Sequence, residues 1–246
     1  MIAALLAALF LLPRFGLAAL VALVIAGAAY EWARLCRLRS ELAWAYAMVL
    51  AGLFCALLLV PGSAQAVFAL ACIFWLIAAP LWLARGVRAD HALALAVSGL
   101  LVLVPAALAM VSLKPAEVLA ILVLVWIADS AAYFVGRNWG SRKLAPRVSP
   151  GKTWEGAAGG VAGAAAYAII LSVLVEGRFR VVYVAAAALL AVVSIVGDLF
   201  ESALKRQAAA KDSGALLPGH GGILDRIDSA TSTLPLAAVL ARWMAS

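Results

Sequence analysis

Residues 196–229 crowd together five acids (Asp198, Glu201, Asp212, Asp225 and Asp228), four bases (Lys205, Arg206, Lys211 and Arg226) and His220. On a helix, spacings of three, four and seven put Asp198, Glu201, Ser202 and Lys205 on one face and leave Leu199, Phe200, Ala203 and Leu204 for the other. The same spacing aligns Asp225, Asp228, Ser229 and Ser232 on a helix that starts after Gly219-His220-Gly221-Gly222. One acid there could simply satisfy a helix N-terminus, but two on one face exceed that need. If the two faces meet, carboxylates from two helices offer oxygen ligands only, which suit a hard divalent cation such as Mg²⁺ rather than zinc. Mg²⁺ held by one or two carboxylates and completed by substrate phosphates is the usual arrangement in phosphoryl and nucleotidyl transfer. The four bases exceed what structural pairing needs and match a site that holds several phosphates. The glycines around His220 suit either an anion-binding turn or a plain tight turn.

Upstream, Asp129 lies in WIADSAAYFVGRNWG near the end of an apolar run. An ionisable side chain inside a membrane span costs a few kcal/mol on insertion scales, which makes Asp129 and Asp198 functional candidates. The stretch 146–156 contains Gly151-Lys152-Thr153, but Pro146 stands where a P-loop needs glycine and no strand is expected before it. Ser149 and Lys152 nevertheless belong to a loop that could close over the site. Gly156, Gly159, Gly160 and Gly163 are expected to let helices pack closely, and His91 is expected in a solvated loop without a role.

The elements that must position these groups are membrane helices. The chain has 246 residues, of which 67% are hydrophobic and only 13% charged, and its mean hydropathy is +1.10. That composition excludes a soluble domain, where about a quarter of residues are charged. The net charge of +7 comes from bases scattered singly between apolar runs, so it reports topology rather than nucleic-acid binding. Cys36, Cys55 and Cys72 lack metal-site or redox spacing and read as small hydrophobes. The N-terminus lacks a basic region and a small-residue cleavage site, so its apolar run is expected to stay in place.

Apolar runs fall at 2–12, 16–30, 42–60, 64–83, 92–111, 116–134, 156–175, 181–200 and 229–243. A bilayer core of about 30 Å asks for roughly 20 residues per helix, so the first two and the last are short. The fold expected is all-α and polytopic, with about nine transmembrane helices and a polar site facing the cytoplasm. It forms a single membrane domain over 1–246, with an N-terminal helical part at 1–111 and a catalytic helical part at 112–246 that holds the signature at 198–228. When alternate connections are assigned to one side, 14 of the 19 Lys and Arg residues fall there, and the positive-inside rule makes that side cytoplasmic. Trp32, Trp82, Trp126 and Trp139 lie near run ends, where an interfacial belt is expected.

The run Ser202-x-Leu204-Lys205-Arg206, then Lys211-Asp212-x-Gly214, then Leu217-Pro218-x-His220-Gly221-Gly222-Ile223-x-Asp225-Arg226-Ile227-Asp228 resembles the signature of the CDP-diacylglycerol synthase (phosphatidate cytidylyltransferase) family. The segments around Asp129 and from Lys143 to Gly156 are also similar to family sequence, so the likeness covers about residues 120 to 235. The first 110 residues resemble the family in hydropathy alone. The resemblance implies transfer of a cytidylyl group from CTP to phosphatidate, giving CDP-diacylglycerol and pyrophosphate in phospholipid synthesis. It also implies a multi-pass homodimer in the inner (cytoplasmic) membrane, dependent on Mg²⁺ and open to a second cation such as K⁺. By position, Asp198 and Asp225 match the metal-binding acids and, with Lys205, form the expected catalytic set. Asp129, Ser149, Lys152, Ser202, Arg206, Lys211, Asp212, His220, Arg226 and Asp228 are the expected substrate-binding residues.

Two rivals remain for these residues. A CDP-alcohol phosphotransferase would need D-G-x-x-A-R followed by paired acids, and that pattern is absent. A transporter would use Asp129 and Asp198 as ion-coupling sites. The clustering of acids with phosphate-type bases toward one side weighs against it.

Overall fold

The computed structural model describes residues 2–88, 91–176, 179–214, 216 and 221–245. Apolar sequence becomes helix almost throughout. Pro13 ends α1 (Ile2–Leu11) and caps α2 (Arg14–Leu35), after which come α3 (Ser40–Leu59) and α4 (Ser63–Ile73). A single π turn (Phe74–Ala78) joins α4 to α5 (Ala79–Arg85), just ahead of Pro80, which has no N–H to offer a regular helical ladder. The chain continues through α6 (Ala92–Ser112), α7 (Pro115–Trp139), α8 (Trp154–Glu176), α9 (Val181–Gln207) and α10 (Leu224–Ala245).

Among the described residues seven helical rods, the third running from Ser63 to Arg85, are long and apolar enough to cross a membrane. Helix α2 is among them, whereas the ten residues of α1 are too few for a span. Helix α10 is more polar, and its hydroxyls turn back onto main-chain carbonyls. Thr231 donates to the Asp228 carbonyl, Thr233 to that of Ser229, and Ser232 to those of Ser229 and Val193. A buried helix can carry these groups because each proton has an acceptor.

Two features depart from the sequence expectations. Strands β1 (Lys143–Ala145) and β2 (Ser149–Thr153) form an antiparallel hairpin where a loop in an all-helical chain was expected, with Lys143 opposite Thr153 and Ala145 opposite Ser149. Trp32 is not a belt residue. Trp32 is 1% exposed and donates to the Leu95 carbonyl, while Trp82 donates to His91 Nδ1 at 3.2 Å, which gives His91 a structural partner. Phe200 collects both tryptophans together with Phe74 and Trp75, at ring-centroid distances of 5.4 to 6.4 Å. The apolar face of α9 is thereby locked into an aromatic core, and its acidic face is turned the other way.

Helices α7 and α8 pack along the expected glycine row. A Cβ on Gly160 would lie 2.9 Å from the Ala128 carbonyl oxygen, and one on Gly163 would lie 2.8 Å from Ala131 Cβ. Close approach of two backbones gives van der Waals contact that lipid cannot supply by itself. It also brings Asp129 on α7 beside the hairpin that precedes α8.

Candidate active site

Helix α9 does not stop where its hydropathy does. It continues past residue 200 to Gln207, as α7 continues past 134 to Trp139. Asp198 therefore lies nine residues, about 13 Å, from the end of a continuous helix. Its Oδ1 stands 3.3 Å from Ser202 Oγ one turn on, and its Oδ2 pairs with the Lys152 ammonium from β2. Asp129 and Asp228 face the same Asp198–Lys152 pair from α7 and α10. Three carboxylates thus lie within electrostatic reach of one lysine, and Asp198 is the one paired with it.

Beside them lies a cavity of about 470 Å³ between α7, α8, α9 and the hairpin. Asp129, Lys152 and Asp198 line it together with Ser149, Tyr133 and Arg137. Along α7, Asp129, Tyr133 and Arg137 follow one another at every fourth residue and so share a face, and Arg137 donates to the Tyr133 hydroxyl at 3.0 Å. Thr153 caps α8 by accepting from the Gly156 N–H, and Glu155 accepts from the Ser141 and Arg142 N–H groups, which fixes both ends of the hairpin. Arg206 on α9 holds its tip through the Val148 carbonyl.

A second cluster forms where α9 ends and α10 begins. Lys205 Nζ is 2.7 Å from Asp225 Oδ1 and 3.1 Å from Glu201 Oε1. The other Asp225 oxygen accepts from the Ser213 and Gly222 N–H groups, and the Ser213 hydroxyl stands 3.0 Å from it. Asp225 does not line the cavity. Its oxygens are satisfied by an ammonium and a folded-over loop, while Asp198, paired with Lys152, lines the cavity.

The arrangement has matches among known proteins. Residues 1–244 match the model of the cytidylyltransferase family. A phosphatidate cytidylyltransferase of Pseudomonas aeruginosa is 42% identical over 94% of this chain and 89% of its own length. Shorter matches join this chain to proteins of the same name from Haemophilus influenzae (48% identical over 47% of this chain and 42% of the relative) and Bacillus subtilis (49% identical over 46% and 42%). The chain belongs to the cytidylyltransferase family. Such a protein is a membrane nucleotidyltransferase, and its chemistry must lie where charge, space and phosphate-binding groups coincide.

In this cytidylyltransferase the expected residues separate into three sets. Asp129, Ser149, Lys152, Ser202, Asp198 and Asp228 gather at or beside the cavity. Lys205 and Asp225 form the ion pair next to it, with Glu201 as a third member that the expected set lacks. Arg206 is occupied with main-chain carbonyls of Val148 and Ala210, Lys211 and Asp212 are exposed on the connection after α9, and Arg226 is exposed on the first turn of α10. His220 lies outside the described residues.

The donor chemistry of the first set fits Mg²⁺. Asp129, Asp198 and Asp228 bring oxygens only, and their excess negative charge is opposed within the set by Lys152 alone. Among the described residues no three acids, histidines or cysteines stand close enough to cage a metal by themselves. A cation that keeps water and takes one or two carboxylates plus phosphate oxygens matches such a partial shell. Besides Glu201, three residues at the site stood outside the expected set: Tyr133 and Arg137 as cavity walls, and Glu31 beneath the second cluster. The signal for Glu31 was present, since an acid immediately after the apolar run 16–30 is costly in a membrane helix.

Proposed function

We propose that the chain transfers a cytidylyl group from CTP to phosphatidate, releasing pyrophosphate and forming CDP-diacylglycerol. The observation that carries this reading is the cavity shared by Asp129, Lys152 and Asp198 in a chain of the cytidylyltransferase family. A phosphate oxygen of phosphatidate forms a bond to the α-phosphorus of CTP, and the bond from that phosphorus to the bridging oxygen of the β-phosphate breaks. Pyrophosphate leaves with the bonding electron pair. Lys152, at the cavity wall, is placed to hold a phosphate and to neutralise charge growing on the leaving group. Arg137 and the Tyr133 hydroxyl offer further donors along the same wall. Asp198, with Asp129 or Asp228 as a second carboxylate, would hold Mg²⁺, which supplies charge neutralisation on the triphosphate when bound. Asp225 could join that shell only by exchanging its Lys205 contact, and a second cation such as K⁺ is part of the same proposal.

The proposed orientation puts the cavity toward the cytoplasm, supported by the 14 of 19 bases on that side. The proposed working unit is a homodimer in the inner membrane, an assignment that rests on the family resemblance. The test is pyrophosphate release by the purified protein in lipid–detergent micelles. Release from CTP should require both phosphatidate and Mg²⁺. Release that ignores phosphatidate, or none at all, would overturn the reading.

A further inference from the structure

We infer that Glu31, on α2, is a positioning residue for Asp225. The inference rests on the function proposed above, in that Asp225 and Lys205 serve cytidylyl transfer, and it brings a side chain of the N-terminal part into that machinery. Glu31 is 2% exposed. Its Oε2 accepts from the Ser213 hydroxyl and from the Leu224 N–H, both at 3.0 Å, and so ties a point within the connection between α9 and α10 to the first residue of α10. The same Ser213 hydroxyl stands 3.0 Å from Asp225 Oδ2, and the Ser213 N–H donates to that oxygen at 2.9 Å. Glu31 thus reaches Asp225 through one intervening side chain, and Asp225 in turn reaches Lys205.

The surroundings are shaped for this carboxylate. A Cβ on Gly214 would lie 2.5 Å from Glu31 Oε1, and one on Gly222 would lie 2.6 Å from Oε2 and collide with Ser213 Oγ. Glycine at both places lets the connection fold down onto Glu31. Among the described residues Glu31 Oε1 has no hydrogen-bond partner. A buried carboxylate oxygen left so costs free energy, and a residue kept only for packing would not carry it. The clasp on the connection is the return for that cost.

The role is one of geometry, since Glu31 does not line the cavity. Its removal should free Ser213 and Leu224, let Asp225 swing, and spoil the Lys205 contact without touching the nucleotide-binding wall. Glu31→Ala and Glu31→Asp, which is one methylene too short, should lower kcat by about tenfold or more while KM for CTP stays within about twofold. Glu31→Gln keeps the length and an amide oxygen that can accept from both the Leu224 N–H and the Ser213 hydroxyl, and should retain activity within about threefold.

A double-mutant cycle makes the coupling measurable. Because Glu31 acts through Asp225, Glu31→Ala combined with Asp225→Asn should be no worse than Asp225→Asn alone by more than about twofold. Losses that multiply would overturn the inference, as would a Glu31→Gln variant as poor as Glu31→Ala. Hydrogen–deuterium exchange supplies a readout independent of turnover. The Ser213, Gly222 and Leu224 amides should exchange about tenfold faster or more in Glu31→Ala, with α7 and α8 peptides unchanged. Unchanged exchange at these amides would also overturn it. If the parent protein transfers no cytidylyl group, the functional reading fails while the exchange experiment still decides the role of Glu31.

Discussion

Lys152, on the second strand of the hairpin, pairs with Asp198 in the middle of α9, and this contact folds the hairpin over the cavity. Both side chains are about a quarter exposed, so the pair is neither sealed nor fully solvated. Such a lysine can exchange a carboxylate for an incoming phosphate at small cost, which a buried pair could not do.

Replacing Lys152 should therefore weaken nucleotide handling and leave the fold intact. For Lys152→Ala we expect KM for CTP to rise or turnover to fall by roughly tenfold, the scale of one lost charge-assisted contact. Steady-state kinetics at limiting CTP, beside a melting curve in detergent, would separate the two. Unchanged kinetics would reduce Lys152 to a topological charge.

The two acids can be told apart by charge-removing variants. Asp198→Asn and Asp225→Asn keep side-chain size, and each is expected to cost activity by orders of magnitude, as several kcal/mol at about 1.36 kcal/mol per tenfold implies. They should differ in rescue. Raised Mg²⁺ should restore part of the loss for Asp198→Asn, which faces Asp129 and Asp228. It should restore less for Asp225→Asn, whose partner is Lys205. Glu176→Gln, at the far end of α8, should be silent. Two active Asn variants would show that the site is misplaced.

The α7–α8 contact should be intolerant of bulk. A Cβ at Gly159 would lie 2.5 Å from Val135 Cγ2 and 2.6 Å from Val135 Cβ. Gly159→Leu must push the helices apart, at about 1–3 kcal/mol for overpacking, and should lower the melting temperature and activity together, because both helices line the cavity. Gly52→Leu, where a Cβ would meet nothing within 4 Å, is the matched control and should not lower the melting temperature.

Sidedness can be read by labelling in a variant lacking Cys36, Cys55 and Cys72. Arg147→Cys at the hairpin tip and Lys114→Cys ahead of α7, whose native side chain is 84% exposed, should react with impermeant reagent from opposite faces. The Arg147 position should be the cytoplasmic one. Labelling of both from one face would reject the topology.

Local periodicity is what the sequence determined. A helix repeats every 3.6 residues whatever surrounds it, so the shared face of Asp198, Glu201, Ser202 and Lys205, the face of Asp225 and Asp228, and the apolar runs themselves follow from spacing alone. The glycine row of α8 likewise announced close packing before a partner was known. Tertiary structure decided everything that joins distant residues. It separated Asp198 from the Lys205–Asp225 pair, set Lys152 on a hairpin that helix periodicity could not foresee, and put Trp32 in the core instead of at an interface. It also brought Glu31 to Ser213 across 182 residues of chain. Spacing fixes which side chains share a face because the helix is its own ruler, but which faces meet depends on how whole helices cross, and no local pattern carries that information.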